Sequence, residues 1–326
     1  MKGTFQPDHD ILLLDGIPRN EHQVEMMREH IDVLAMLHLT SKDKQQMIER
    51  IEALQPLRQL VDSMDMRARK SLGQNFLFDL NLTRRIARSA GTLSGTTIEI
   101  GPGPGGLTRA LLLEGADHVI AIEKDRRAAD VLAGLTVAAG SRLSLIEADA
   151  MTSAIWEMGD TPRRIIANLP YNIATTLLIS WLGHANAFAS MTLMFQREVA
   201  ERITAKPGDT TYGRLSVLTG WLADSEILFD VPASAFVPAP KITSSIVQIV
   251  PLHAPRYPCS QKALEDITRI AFGQRRKMLR SSLKKIGGKT LLNAAGIDPE
   301  KRPQDIDIEA FCKLALLAEA AVKQTA

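Results

Sequence analysis

At 326 residues, 45% of them hydrophobic and 23% charged, with a formal net charge of +2, the chain is long enough for about two soluble domains with a full core. No apolar run reaches the roughly 18–20 residues that a membrane span needs, and the start, MKGTFQPDHD, lacks the basic and apolar regions of a secretory signal, so no membrane partner is expected. The two cysteines, Cys259 and Cys312, show neither metal-ligand spacing nor a disulfide framework, which points to a reducing cytoplasm.

Charge is unevenly spread. Residues 1–54 carry six Lys/Arg against ten Asp/Glu, whereas 255–326 carry fourteen against eight. A basic C-terminal segment suits a polyanion, because phosphate binding releases counterions, although a solvated helix face has the same composition.

The first segment stands apart. ILLLDGIPRNEHQ (11–23) and VLAMLHLTSKDKQQMIERI (33–51) resemble a stretch of the adenylate kinases. In those enzymes the Asp-Gly-x-Pro-Arg segment works on phosphates held by a Gly-rich P-loop. This chain has no G-x-x-x-x-G-K-[ST]: GGKT at 287–290 has Leu283 in place of the first glycine and follows no strand. Residues 1–54 therefore read as a non-catalytic, kinase-like extension. Two strands make no independent sheet, so partial disorder is expected there.

From residue 96 onward, apolar β-rich runs alternate with amphipathic stretches. The runs are TTIEI, HVIAIE, LSLIEAD, RRIIAN, MTLMFQ and EILFDV, with LTRALLLEGA and ATTLLISWLG among the helical segments between them. This βαβ rhythm predicts an α/β fold, a Rossmann-like, doubly wound, mostly parallel sheet with helices on both faces. EILFDV and TSSIVQIV are joined by the Pro-rich PASAFVPAPK, which predicts an antiparallel hairpin at the sheet edge. After Ala254 the pattern is helical, with AFGQRRKMLRSSLKKI and IEAFCKLALLAEAAVK as the clear pieces. The expected domains are 1–54, 55–254 and a small all-α domain, 255–326.

TTIEI runs into GPGPGGLTRALL. Gly101, Gly103 and Gly106 fit G-x-G-x-x-G, and Glu123 closes the next strand, as in dinucleotide-binding proteins. An NAD enzyme is the natural rival. Two further acids argue against it: Glu99, two residues before the first glycine, and Asp149, at the end of the third strand. Three acids at successive strand ends suit S-adenosylmethionine. Its ribose diol can donate to Glu123 and its adenine amino group to Asp149, while its sulfonium and ammonium favour a site without nearby Lys or Arg. Lacking a pyrophosphate, this ligand needs the glycines for close backbone approach, not for a phosphate cradle.

Asn168-Leu169-Pro170-Tyr171 follows at the tip of the fourth strand, beside the cofactor crevice of a doubly wound sheet. This set suits methylation of an exocyclic amine on a base. The amine is a poor nucleophile because its lone pair is delocalised into the ring. Acceptors on its two N–H groups, the Asn168 amide oxygen and the Leu169 carbonyl steadied by Pro170, would let the nitrogen pyramidalise. Tyr171 offers a stacking face. Catalysis is then positioning plus electrostatics, with no His or Cys required.

RARKSLGQNFLFD, EIGPGPGGLT, IEKD, EADAM, NLPYNI, QREVAERI, YGRLSV, SAFVPAPKITSSIV and AFGQRRKMLRSSL follow one another in this order. On these motifs the chain from about Pro56 resembles the small-subunit ribosomal RNA adenine N6-dimethyltransferases, a class I methyltransferase family. The resemblance implies cofactor contact at Asn75, Leu77, Gly101, Gly103, Glu123, Asp149 and Asn168. It implies that Phe236 stacks on the target adenine opposite Tyr171. It also implies two methyls on each of two adjacent adenosines in the 3′-terminal hairpin of the small-subunit RNA, within a pre-ribosomal particle, by a monomer. Arg67, Arg69, Lys70, Arg275, Arg276, Lys277, Arg280, Lys284 and Lys285 then become the expected grip on RNA phosphates.

Overall fold

The computed structural model describes residues 42–64, 68 and 73–325. The chain divides into two compact units, Met1–Arg50 and Ile51–Ala326. In the first, the described residues 42–50 are helical. The kinase-like segment 11–23 lies outside the described residues, as do Arg67, Arg69 and Lys70.

Among the described residues of the second unit, nine strands form two sheets. They are β1 (Phe76–Leu77), β2 (Thr96–Ile100), β3 (His118–Glu123), β4 (Leu143–Glu147), β5 (Arg163–Asn168), β6 (Ser190–Gln196), β7 (Ala223–Val231), β8 (Phe236–Val237) and β9 (Ser244–Pro251). The large sheet has the order β4-β3-β2-β5-β6-β9-β7. β2 to β6 run parallel, and β9 runs antiparallel to both its neighbours, β6 and β7. The doubly wound sheet expected from the alternating pattern is therefore present.

β7 and β9 do pair antiparallel across the Pro-rich loop, but β9 inserts between β6 and β7, which leaves β7 at the edge. The burial pattern accounts for this order. β9 buries Ser244 to Val247 and Ile249, whereas most of β7 is at least partly exposed, so the more apolar strand takes the interior position.

All five residues of β2 are buried, Thr and Ile packing on both faces as a central parallel strand requires. Ile98, Ile100, Ile120, Ile122, Ile165 and Leu193 meet Leu177, Leu178 and Trp181 in one core. The chain reverses its winding between β4 and β5, so β2 and β5 flank the switch point, where doubly wound folds open a crevice at the carboxyl ends of their strands.

Numbered along the chain, the second unit's longer helices are α1 (Leu57–Ser63), α2 (Leu80–Ser89), α3 (Gly106–Leu113), α4 (Arg127–Ala139), α5 (Tyr171–Leu182), α6 (Arg197–Thr204), α7 (Arg214–Leu222) and α8 (Gln261–Gly273). The C-terminal end is completed by α9 (Leu279–Ser282), α10 (Gly288–Ala294) and α11 (Ile308–Thr325).

The stretch AFGQRRKMLRSSLKKI is not one helix. α8 stops at Gly273, residues 274–278 form a turn, and a new short helix starts at Leu279. The cause is tertiary. The N–H of Leu279 donates to the Lys301 carbonyl (2.8 Å) and that of Arg280 to the Pro299 carbonyl (3.1 Å), in place of bonds within a helix.

The C-terminal helices belong to the same compact unit as the sheet. Trp221 Nε1 donates to the Tyr257 carbonyl at 2.7 Å, and the rings of Tyr212, Phe272 and Phe311 form a cluster with centroid separations of 6.0 and 5.4 Å. Cys259 and Cys312 are free thiols in side-chain contact within this core. Among the described residues no helix is long and apolar enough to cross a membrane.

β1 and β8 form a small antiparallel ladder, Phe76 opposite Val237 and Leu77 opposite Phe236. Its placement depends on Gly106. A Cβ there would stand 2.4 Å from the Leu77 carbonyl oxygen, inside contact distance of backbone that has no way to rotate aside. We expect Gly106→Ala to cost about 1–3 kcal/mol of stability as an overpacked site. It should also shift β1, which thermal denaturation together with cofactor binding would register.

Candidate active site

The carboxyl ends of β2, β3, β4 and β5 enclose a cavity of about 240 Å³. Around it stand Asn75 and Leu77 from the β1 segment, Gly101 and Gly103 after β2, Glu123 at the end of β3, Asp149 after β4, and Asn168, Leu169 and Pro170 at the end of β5. Every cofactor position expected from the sequence is on this wall.

The glycine loop discriminates between ligands. Gly101 and Gly103 have φ of +67° and +52°, so the turn needs residues without a Cβ penalty. The N–H of Gly101 donates to the Ile122 carbonyl (2.9 Å), that of Gly103 to Glu123 Oε2 (3.1 Å) and that of Gly105 to the Pro102 carbonyl (2.9 Å). Pro102 and Pro104 have no N–H. Residues 101–105 therefore have no donor left for a pyrophosphate, which only the first N–H groups of α3 would remain to hold.

Glu123 accepts three backbone N–H groups: Gly103 on Oε2, and Lys124 and Asp125 (both 2.8 Å) on Oε1. Of about four lone-pair sites on a carboxylate, roughly one is left, on Oε2. Burial pushes its carboxyl above the usual range, and the three N–H donors oppose that shift.

Asp149 accepts the Met151 N–H at Oδ1 (2.9 Å) and the Lys124 ammonium at Oδ2 (2.7 Å), and the lysine holds it below the usual range. Lys124 corrects the expectation of a site free of Lys and Arg, since it lines the cavity. Half-exposed Asp149 at the mouth attracts the neighbouring cation, and the pair remains in water, 66% and 33% exposed.

Glu99, 2% exposed, is a different case. Its Oε2 has no hydrogen-bond partner, and burial pushes its carboxyl up to about 8, with Glu123's charge adding to the effect and the Thr108 hydroxyl opposing it.

At the β5 tip the Asn168 amide is oriented by its own nitrogen. Nδ2 donates to the Asn75 carbonyl at 3.1 Å, which turns Oδ1 the other way. Among the described residues nothing donates to the Leu169 carbonyl, although the Leu169 side chain is buried. Pro170, with φ of −58°, ends the strand and starts α5, its carbonyl receiving the N–H groups of Ile173 and Ala174. Two acceptor oxygens on adjacent residues, one amide and one peptide, thus have no donor among the described residues.

Tyr171 and Phe236 do not line the cavity. Tyr171 is half-buried, with its hydroxyl 2.6 Å from Ser244 Oγ. Phe236 is 2% exposed and sits on β8, across the ladder from Leu77.

The described basic residues separate into two groups. Arg275 donates to the Thr210 carbonyl (2.6 Å) and lies over the Phe272 ring, and Arg280 pairs with Glu300 (2.9 Å), so both brace the fold. Arg276, Lys277, Lys284 and Lys285 are exposed. Lys124, Phe76, Met151, Asn172 and Ile173 also line the cavity and were not singled out from sequence. For Lys124 and Met151 a signal existed, since each lies one or two residues past a strand-end acid.

The residues present fit S-adenosylmethionine. Three acidic side chains against one lysine suit a cationic ligand, one of them, Glu99, has a buried oxygen without a partner, and the glycine loop offers close backbone approach. Fold and site together define a class I, S-adenosylmethionine-dependent methyltransferase. The model of the family described as ribosomal RNA adenine dimethylase matches residues 65–319. The chain belongs to that family.

Ribosomal RNA small subunit methyltransferase A of Rhodospirillum rubrum is 54% identical over 272 residues, 83% of this chain and 94% of the relative. The protein of the same name from Sinorhizobium medicae is 53% identical, over 81% of this chain and 98% of its own length. Among solved structures, a dimethyladenosine transferase from Plasmodium falciparum aligns with a TM-score of 0.63 at 26% identity, over 76% of this chain and 98% of that one. The 23S rRNA methyltransferase ErmE aligns at 0.58 and 26%, over 75% and 100%.

Proposed function

We propose that this chain transfers two methyl groups to N6 of each of two adjacent adenosines in the 3′-terminal hairpin of 16S ribosomal RNA, as a step in small-subunit biogenesis. The observation that carries the chemistry is the Asn168 side chain. Its nitrogen is committed to Asn75, so its oxygen and the open Leu169 carbonyl form a pair of acceptors at the lip of the cavity. They hold the two N–H groups of the target amine and withdraw its lone pair from conjugation with the ring. Pro170 fixes the peptide that carries one of them, Tyr171 is one stacking surface for the extruded base, and Phe236 becomes the other once the base displaces what covers it. Bound S-adenosylmethionine supplies an electrophilic methyl group on positively charged sulfur.

Glu123, through its remaining lone pair, holds the ribose, and Asp149 the adenine amino group. Asn75, Leu77, Gly101 and Gly103 form the surrounding wall. The helical domain 255–326 grips the RNA through Arg276, Lys277, Lys284 and Lys285, which have no competing role in the fold. The likeness to small-subunit enzymes at 54% identity, against 26% for the large-subunit enzyme, supports the substrate assignment.

The test is tritiated methyl transfer to small-subunit particles that lack the modification, with the modified site mapped by primer-extension arrest. Incorporation at two neighbouring adenosines near the 3′ end is expected, and arrest elsewhere refutes the substrate. Glu123→Ala should weaken S-adenosylmethionine binding by roughly 10- to 100-fold in calorimetry, the value of a charge-assisted hydrogen bond. Unchanged affinity would remove Glu123 from the cofactor site.

A further inference from the structure

Tyr171 is tied from behind by a hydroxyl that stacking does not require. A phenylalanine would present the same face to a base, yet the tyrosine Oη lies 2.6 Å from Ser244 Oγ. Ser244 is fully buried and is the first residue of β9, with its Cα in register with Gln196 of β6 on one side and Val231 of β7 on the other. Two neighbouring strands therefore fix its backbone.

The next residue faces the other way and is anchored as well. Ser245 donates its hydroxyl to Asp230 Oδ1 at 2.7 Å, and Asp230 is gripped by Arg197, whose own N–H donates to the Thr243 carbonyl at 3.0 Å. The start of β9 is thus held by three separate bonds, and one of them, Ser244 to Tyr171, reaches the residue that directly follows the cavity-lining Asn168, Leu169 and Pro170. β9 is also where the loop carrying Phe236 ends, and that loop is paired through β8 to β1 beside the cavity.

We propose that Ser244 is a positioning residue for methyl transfer: through the Tyr171 hydroxyl it holds in place the ring on which the target adenine stacks, and it couples that ring to the strand that closes the Phe236 loop. This rests on the reading of Tyr171 as a base platform. The hydroxyl lies on the χ2 axis, so the bond does not oppose rotation about that axis, but the ring cannot swing about χ1 without breaking it. The serine thus restrains where the tip of the ring sits, and near-attack geometry is the quantity most sensitive to such a change.

The test uses the full chain with undermethylated small-subunit particles and four variants: Ser244→Ala, Tyr171→Phe, the combination of the two, and Tyr171→Ala. Ser244→Ala and Tyr171→Phe should each lower kcat by about 3- to 10-fold, as expected for one neutral hydrogen bond, with KM for the particle nearly unchanged. The double variant should be no worse than the poorer single, because both substitutions remove the same bond. S-adenosylmethionine affinity should stay within about twofold of wild type, which separates loss of positioning from loss of folding.

Wild-type kcat in Ser244→Ala, losses that multiply in the double variant, or a loss confined to KM would each overturn the proposal. If Ser244→Ala does not fold, Tyr171→Phe removes the same bond from its half-exposed partner and decides the matter by the same kcat criterion. Full activity in Tyr171→Ala would instead remove the platform reading itself. A loss there with both conservative variants unaffected rejects only the role of Ser244.

Discussion

Replacing Asn168 with alanine should lower methyl transfer by about 10²- to 10³-fold, the range found when one pre-oriented donor or acceptor is removed from a reacting group. The effect belongs in kcat. Asn168 lies on the cavity wall, and its amide nitrogen ties the β5 tip to the Asn75 carbonyl, so cofactor affinity should change too, but by less than about 10-fold, the worth of a single neutral hydrogen bond.

Asn168→Asp discriminates between the two ends of the amide. It keeps an acceptor for the substrate amine but loses the donor, and it sets a carboxylate oxygen against a carbonyl oxygen about 3 Å away, so the side chain turns or the Asn75 segment moves. We expect that variant to lose at least about 10-fold in kcat despite its retained acceptor. Single-turnover methylation, with calorimetry for the cofactor, measures both quantities. If Asn168→Ala transfers methyl within about threefold of wild type, the amine is not activated by this amide.

Much of this site could be read from the sequence because its parts are local. The glycine turn, the acids at strand ends and the Asn-Leu-Pro-Tyr segment each need only a strand and the few residues after it, and a parallel sheet brings consecutive strand ends together whatever else the chain does. What escaped was non-local. β1 and β8 are two residues long, too short for any periodicity, and are separated by most of the sheet domain. The break at 274–278 falls in a run of good helix formers and is imposed by the carbonyls of Pro299 and Lys301, which a local pattern does not contain. For the same reason Arg275 and Arg280 looked equivalent to their neighbours in sequence, although in the fold each already has a partner. Lys124 is the instructive error. Its place next to Glu123 was plain, but its ammonium crosses to Asp149 on the neighbouring strand end, and only the register of β3 on β4 shows that they meet.

Glu99 should make the protein less stable as pH rises from about 4.5 to about 8. Its carboxyl is pushed to about 8 in the folded chain from an ordinary value of 4.5, because it is buried and one of its oxygens has no partner. Across that window the folded state keeps a proton that the unfolded state releases, so alkali favours unfolding. Below 4.5 both states are protonated, and above 8 both are ionised, so the contribution levels off at each end.

The full span is on the order of 5 kcal/mol. Glu123, raised in the same sense, adds to the slope, whereas Asp125 and Asp149, whose carboxyls are depressed by Arg127 and Lys124, contribute stability that is lost only in acid. Glu99→Gln should therefore flatten the fall in melting temperature between about pH 4.5 and 8. The same carboxyl links pH to the cofactor. A positively charged ligand in this cavity favours the ionised form, so binding near pH 7 should release a proton, up to about one, in wild type, and none from this source in Glu99→Gln. Calorimetry in buffers of different ionisation enthalpy counts that proton directly. Equal proton release in wild type and variant would show that Glu99 is already ionised in the free protein, and a melting curve with the same pH slope in both would show that its burial costs nothing.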